Sequence, residues 1–195
     1  MREGHIGTEH LITIRKGELA YNPASETLQP VPQELVKIAG KGRGWECLFI
    51  DNAASSCLIY EQRPLECRIL KCWDTSELLS VIYKDSLTRA DIINPEDPIV
   101  ELIDVHEKRC AVRDMEDLLS SLSDNDEKST SLKELEALVQ EDLSIRTEAV
   151  SQFALSLTAE LFLLGRPLFQ LLRGRGIAVQ EEHGKVHLSK YTQPR

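Results

Sequence analysis

Four of the five cysteines fall within residues 47–72, spaced Cys47-x9-Cys57-x9-Cys67-x4-Cys72. Thiolates are soft, anionic donors, and four of them complete a tetrahedral shell around Zn²⁺ or supply an iron–sulfur cluster. Structural zinc sites usually contain tight C-x2–4-C knuckles, and here only the Cys67/Cys72 pair approaches that spacing. The same residues also read as packing, because free cysteine behaves as a small hydrophobe and would suit the inner face of a hairpin. Spacing alone leaves metal ligation and core packing both open.

Two arginines accompany these thiols, Arg63 and Arg68. A guanidinium beside a thiolate cluster offsets its negative charge and donates to sulfur. Arg63 could equally pair with a carboxylate to fix the Arg63-Pro64 turn. Trp73 is expected to cover a small core. Farther on, His106 and Cys110 are four residues apart and share a helical face, which would make a two-ligand pair. One such pair does not define a site, so the face is read as partly buried with a polar tip. His183 and His187 share that spacing, but Gly184 and a strand-like context make them surface hairpin residues. The acidic run Asp114 to Glu127 reads as a solvated face and linker. Gly40, Gly42 and Gly44 lack the phosphate-loop pattern and suggest a hairpin connection. No nucleophile elbow, dinucleotide fingerprint or H-E-x-x-H motif occurs.

The elements that would position these residues follow from pattern. His10–Arg15 is rich in β-formers, Lys16-Gly17 is a turn signal, and Glu18–Tyr21 forms a second strand. Prolines 23, 30 and 32 mark loops, and Glu34–Ala39 alternates polar and apolar. Cys47–Ile50 and Cys57–Tyr60 are short apolar runs around Asp51-Asn52, a hairpin that would bring Cys47 and Cys57 together. Pro64 opens a short helix towards Cys72. One helix is expected over Glu77–Thr88 and another, continuous or interrupted, over Ile99–Leu122. From Leu132 to Leu171 apolar residues recur every three or four, with Pro167 kinking or restarting the helix. Ile177–Gln180 and Val186–Ser189 form a terminal hairpin.

Composition bounds the function. Of 195 residues, 42% are hydrophobic and 28% charged, ordinary for a globular chain, and a 5% aromatic share suits an aliphatic helical core. A net charge of −9 and pI near 5.1 argue against nucleic acid or an anionic membrane as partner. The polar N-terminus lacks an export-type apolar region and Phe153–Leu164 is too short and polar to span a bilayer. A cytoplasmic location is therefore expected, where clustered cysteines bind metal or do redox chemistry rather than form disulfides.

The run Cys47-Leu-Phe-Ile-Asp…Ser-Cys57-Leu-Ile-Tyr-Glu-Gln-Arg63-Pro64-Leu-Glu-Cys67-Arg68…Cys72 resembles the second half of the YkgJ-type cysteine-cluster family, whose pattern there is roughly C-x-F-L…C-x-I-Y-x-x-R-P-x-x-C-R. That family is described as zinc- or iron-chelating and includes flagellin lysine methylases. The resemblance implies Cys47, Cys57, Cys67 and Cys72 as metal ligands, with Arg63 and Arg68 beside the cofactor. The family's N-terminal C-x-x-C-x-x-C-C motif has no counterpart before Cys47, and the expectation is that Met1 is an internal start.

Together these readings predict an α+β chain: a small antiparallel β region with a cysteine cluster, then a larger helical part and a terminal hairpin. Residues 1–122 would form the cysteine-cluster domain with its core at 45–74, residues 123–131 an acidic linker, and residues 132–195 a helical extension. The expected function is chelation of zinc or iron, including an iron–sulfur cluster. Two alternatives are a metal-assisted protein-modifying enzyme and an interaction module docking a protein partner through the 132–172 helix.

Overall fold

The protein is described by a computed structural model covering residues 6–42, 46–71, 73–122 and 130–190. The predicted α+β class is what it shows: small antiparallel strand pairs, a larger helical part and a terminal strand hairpin.

The first strand, β1 (Leu11–Ile14), is the sequence Leu-Ile-Thr-Ile, with all four side chains buried. β-Branched residues on a strand covered from both sides give such an unbroken run. The turn at Lys16-Gly17 forms, but β1 does not pair with the strand that follows it. β2 (Leu19–Asn22) pairs with β3 (Thr27–Pro30), and β1 pairs instead with β4 (Leu35–Ile38) in the register Leu11↔Ile38 to Ile14↔Leu35. The β2–β3 ribbon is exposed or half-buried, whereas Val36 and Ile38 of β4 pack on the core beside β1. Burial, not proximity in sequence, selects the partner.

Four two-residue strands come next. β5 (Gly40–Lys41) pairs with β6 (Glu46–Cys47), and β7 (Ile50–Asp51) pairs with β8 (Ser56–Cys57). The predicted hairpin is present around residues 52–55, with Asp51 Oδ1 accepting from the Ala53 and Ala54 amides at 2.9 and 3.2 Å. Its register differs from the expectation, because Cys57 lies across from Ile50, and Cys47 lies across from Gly40 in the neighbouring ribbon. Helix α1 (Leu65–Ile69) starts after Pro64, and α2 (Ser76–Val81) ends well before Thr88 because Tyr83 and Asp85 adopt φ of 60° and 51°.

The helical part comprises α3 (Ile99–Arg109), α4 (Val112–Ser121), α5 (Thr130–Phe153), α6 (Leu157–Leu163) and α7 (Leu168–Arg173), followed by the hairpin β9 (Ile177–Glu182) and β10 (Lys185–Lys190). The predicted 99–122 helix is interrupted at Cys110-Ala111, where Ala111 is extended at ψ 134°. The 132–172 stretch breaks at Pro167, as expected, and also at Ala154, which has φ 49°. Ser156 caps the restart by accepting from the Ala159 amide.

Two buried clusters hold the helical part to the strands. One joins Cys110, Val112 and Met115 to Leu135, Val139, Ile145, Leu168, Leu172 and the terminal hairpin. The other joins Leu11, Ile99 and Ile103 to Ala149 and to residues 162–164 at the end of α6. Each draws on residues before 122 and after 132.

Gly165, between α6 and α7, has φ +67°, and a Cβ there would sit 2.9 Å from Cγ and Cδ of Arg15 and 3.1 Å from the Thr13 carbonyl oxygen. Gly165→Ala is therefore expected to lower stability by about 1–3 kcal/mol, combining a left-handed backbone with a core clash. Urea denaturation reads this directly, and an unchanged midpoint would contradict the packing described.

Candidate metal centres

The cysteines of the 47–67 stretch sit on three separate small elements: Cys47 on β6, Cys57 on β8 and Cys67 in α1. Cys72 lies outside the described residues. None of the three forms a disulfide; Cys47 and Cys67 are exposed and Cys57 is half-buried. The Cys67 thiol is held above its ordinary value, first by desolvation, then by the charges of Cys47, Glu66 and Cys57, while Arg63 pulls it down. Among the described residues, Cys47, Cys57 and Cys67 do not form a group of ligand atoms within 4.8 Å of one another.

The surrounding segment has little core of its own. Among described residues 46–71 only Phe49 and Ile59 are buried, and the Phe49 ring packs 5.1 Å from that of His10. Trp73 does not cover a core as expected: it is 85% exposed, with Leu58, Tyr60, Leu65 and Leu70 also exposed nearby in sequence. The cause is the same scarcity of core: two-residue ribbons and a five-residue helix enclose no interior for an indole to cover. Arg63 fixes its turn by donating from Nε to the Tyr60 carbonyl at 2.8 Å, with its guanidinium 3.6 Å from the Tyr60 ring centroid; no carboxylate among the described residues pairs with it. Arg68 is exposed.

A second group lies in the helical core. His106, Cys110 and Asp142 are buried, their ligand atoms all lie within 4.8 Å of one another, and the group could hold a metal ion. His106 and Cys110 were expected on a half-buried face; both are fully enclosed because α5 packs across the C-terminal end of α3. Asp142 was not foreseen. His106 Nε2 meets Asp142 Oδ1 at 2.7 Å. Burial holds the imidazole below its ordinary pKa against the pull of Asp142, with Arg15 and Arg146 adding to the downward shift. Because a carboxylate only accepts, the ring's Nε2–H is the donor in its contact with Asp142. Its Nδ1 is buried with no hydrogen-bond partner among the described residues. Cys110, at 0% exposure, has its thiol pushed up to about 12, chiefly by burial.

Asp142 also organises the backbone around it. Its Oδ1 and Oδ2 accept from Arg146 Nε at 3.0 and 3.1 Å, and Oδ2 accepts the Leu168 amide at 3.0 Å, an N–H at the start of α7 that its own helix leaves unpaired. Burial would raise this carboxyl, but the His106 hydrogen bond and Arg146 hold it below the usual carboxylate range. Arg146 in turn donates to the Leu164 and Gly165 carbonyls, each at 3.1 Å, and to Glu160 at 2.8 Å. Thr13 Oγ1 donates to the Phe162 carbonyl and Arg89 to that of Leu163. The four carbonyls from 162 to 165 are thus satisfied by side chains from three other places in the chain, two of them cationic as a helix C-terminus favours.

Arg15, fully buried, donates from Nε and Nη2 to Glu107 at 2.9 and 3.0 Å and from Nη2 to the Cys110 carbonyl at 2.6 Å. Arg89 Nη2 reaches the same Glu107 at 2.8 Å and also bonds Glu34. Burial favours protonation of Glu107, but Arg15 and Arg89 outweigh it and hold the carboxyl below its ordinary range.

No described helix is long and apolar enough to cross a membrane. Comparison with protein-family models, with curated proteins and with solved structures finds no match for this chain.

Proposed function

We propose that the protein binds a transition-metal ion, zinc or iron, through Cys47, Cys57, Cys67 and Cys72, in the manner of the YkgJ-type family it resembles. What supports this reading is the density of thiols, four within residues 47–72, together with the contribution of Cys47 and Cys57 to the raised Cys67 thiol. Neighbouring thiolates repel, and a bound cation turns that repulsion into ligation, deprotonating each sulfur in the process. A segment with two buried apolar side chains among residues 46–71 needs a cross-link to hold short ribbons in place, and a structural metal supplies one. Arg63, already acting on Cys67, would offset the charge of the thiolate set.

Elemental analysis with absorption spectroscopy on aerobically and anaerobically purified protein tests this. Stoichiometric colourless zinc, or iron with visible absorbance, is expected. Cys67→Ser should remove most of that metal and expose residues 46–74 to protease. Metal-free wild-type protein that folds, or metal content unchanged in Cys67→Ser, would sink the reading.

A further inference from the structure

Within the His106–Cys110–Asp142 group, the three residues are not equivalent as ligands. Asp142 is already spoken for: Oδ1 accepts from His106 and Arg146, and Oδ2 from Arg146 and the Leu168 amide. Its role is that of the outer carboxylate which orients a ligating imidazole by taking the other ring N–H. What remains is the unpartnered Nδ1 of a histidine at 0% exposure, and a thiol one helical turn along the same face, equally buried. The Cys110 amide and carbonyl are both fixed, by the His106 carbonyl at 2.8 Å and by Arg15 at 2.6 Å, so the cysteine is held in position.

We propose that His106 Nδ1 and Cys110 Sγ form a second metal site, distinct from the thiol cluster and independent of it, which takes a soft monovalent ion of the Cu(I) class in two-coordinate geometry. Ligand number and charge both select this class. Zn²⁺ asks for four ligands, and the group offers two uncommitted ones. A divalent ion with one thiolate and one neutral imidazole would leave a net positive charge beside Arg15 and Arg146, in a site shut off from water. A monovalent ion replaces the Cys110 S–H proton one for one, and the site stays neutral. The displaced proton leaves to solvent and no electron is transferred. A linear N–metal–S arrangement spans about 4 Å, and one nitrogen of His106, the Cys110 sulfur and an Asp142 oxygen lie within 4.8 Å of one another. Thiolate and imidazole suit a soft d¹⁰ ion. Because both ligands are enclosed, the ion would enter as the chain folds.

The test uses the full chain with Cys47, Cys57, Cys67 and Cys72 all changed to Ser, which leaves Cys110 the sole thiol. This variant is refolded anaerobically with Cu(I) in the presence of a competing chromophoric Cu(I) chelator. One retained equivalent is expected, with X-ray absorption showing one sulfur and one nitrogen. The equivalent should be lost on adding Cys110→Ser and weakened on adding His106→Gln. Folded variant that retains no Cu(I), or retains it regardless of Cys110, overturns the proposal. Should the four-serine chain not fold, Cys110→Ser in the otherwise unaltered chain decides: a Cu(I) capacity one equivalent lower supports the site, and an unchanged capacity overturns it. Zinc or iron content that follows Cys67 but not Cys110 keeps this outcome separate from that of the thiol cluster.

Discussion

Asp142→Ala is expected to cost about 3–5 kcal/mol of folding stability, a large share of the 5–15 kcal/mol typical of a domain. Removing the carboxylate strands three donors at once in a dry interior: His106 Nε2–H, Arg146 Nε–H and the Leu168 amide. Arg146 keeps Glu160 and two carbonyls, so its charge is not wholly uncompensated. Nothing replaces the lost acceptor for Leu168, so the start of α7 should loosen first. Asp142→Asn keeps one acceptor oxygen and should lose less, about 2–3 kcal/mol. Thermal unfolding and amide exchange at residues 164–172 measure both effects. An alanine variant within 1 kcal/mol of wild type would show that the carboxylate does not organise this region.

Glu107→Leu is the second large effect, again about 3–5 kcal/mol. Glu107 neutralises two guanidiniums together, and the fully buried guanidinium of Arg15 would be left with the main-chain carbonyl of Cys110 as its acceptor among the described residues. Arg89 would retain Glu34. The signature is in the double variant. Arg15→Met added to Glu107→Leu removes the stranded cation and should recover much of the loss, because a buried ion pair replaced by apolar residues is often neutral while a half-removed one is not. Additive losses in urea denaturation would contradict the pairing.

Much of the fold was legible in the sequence where pattern and punctuation agree. Leu-Ile-Thr-Ile marks β1, Pro167 marks the break before α7, and His183-Gly184 marks the terminal turn. The pairing of β1 with β4 was not legible, since it depends on which strands the helices cover. The second break, at Ala154, has no glycine or proline to announce it. Of the candidate sites, the thiol cluster announces itself by cysteine density. The buried group does so faintly: on α5 the enclosed positions run Leu135, Val139, Asp142, Ile145, Arg146 and Ala149, so an oppositely charged i,i+4 pair lies on the apolar stripe. Charges at those positions are the signal that was available. Their partner His106 lies 36 residues away, a distance no local pattern bridges.

The way the elbow between α6 and α7 is closed also dictates when it can form. Its carbonyls and amide are met by Thr13, Arg89, Arg146 and Asp142, at sequence separations of 149, 74, 18 and 26 residues. Contacts so distant along the chain require the loops between them to be closed first. Until β1, residue 89 and α5 are all in place, water is the better partner for those groups. The elbow is therefore closed by elements that must already have found one another, and its bonds depend on all of them being in place.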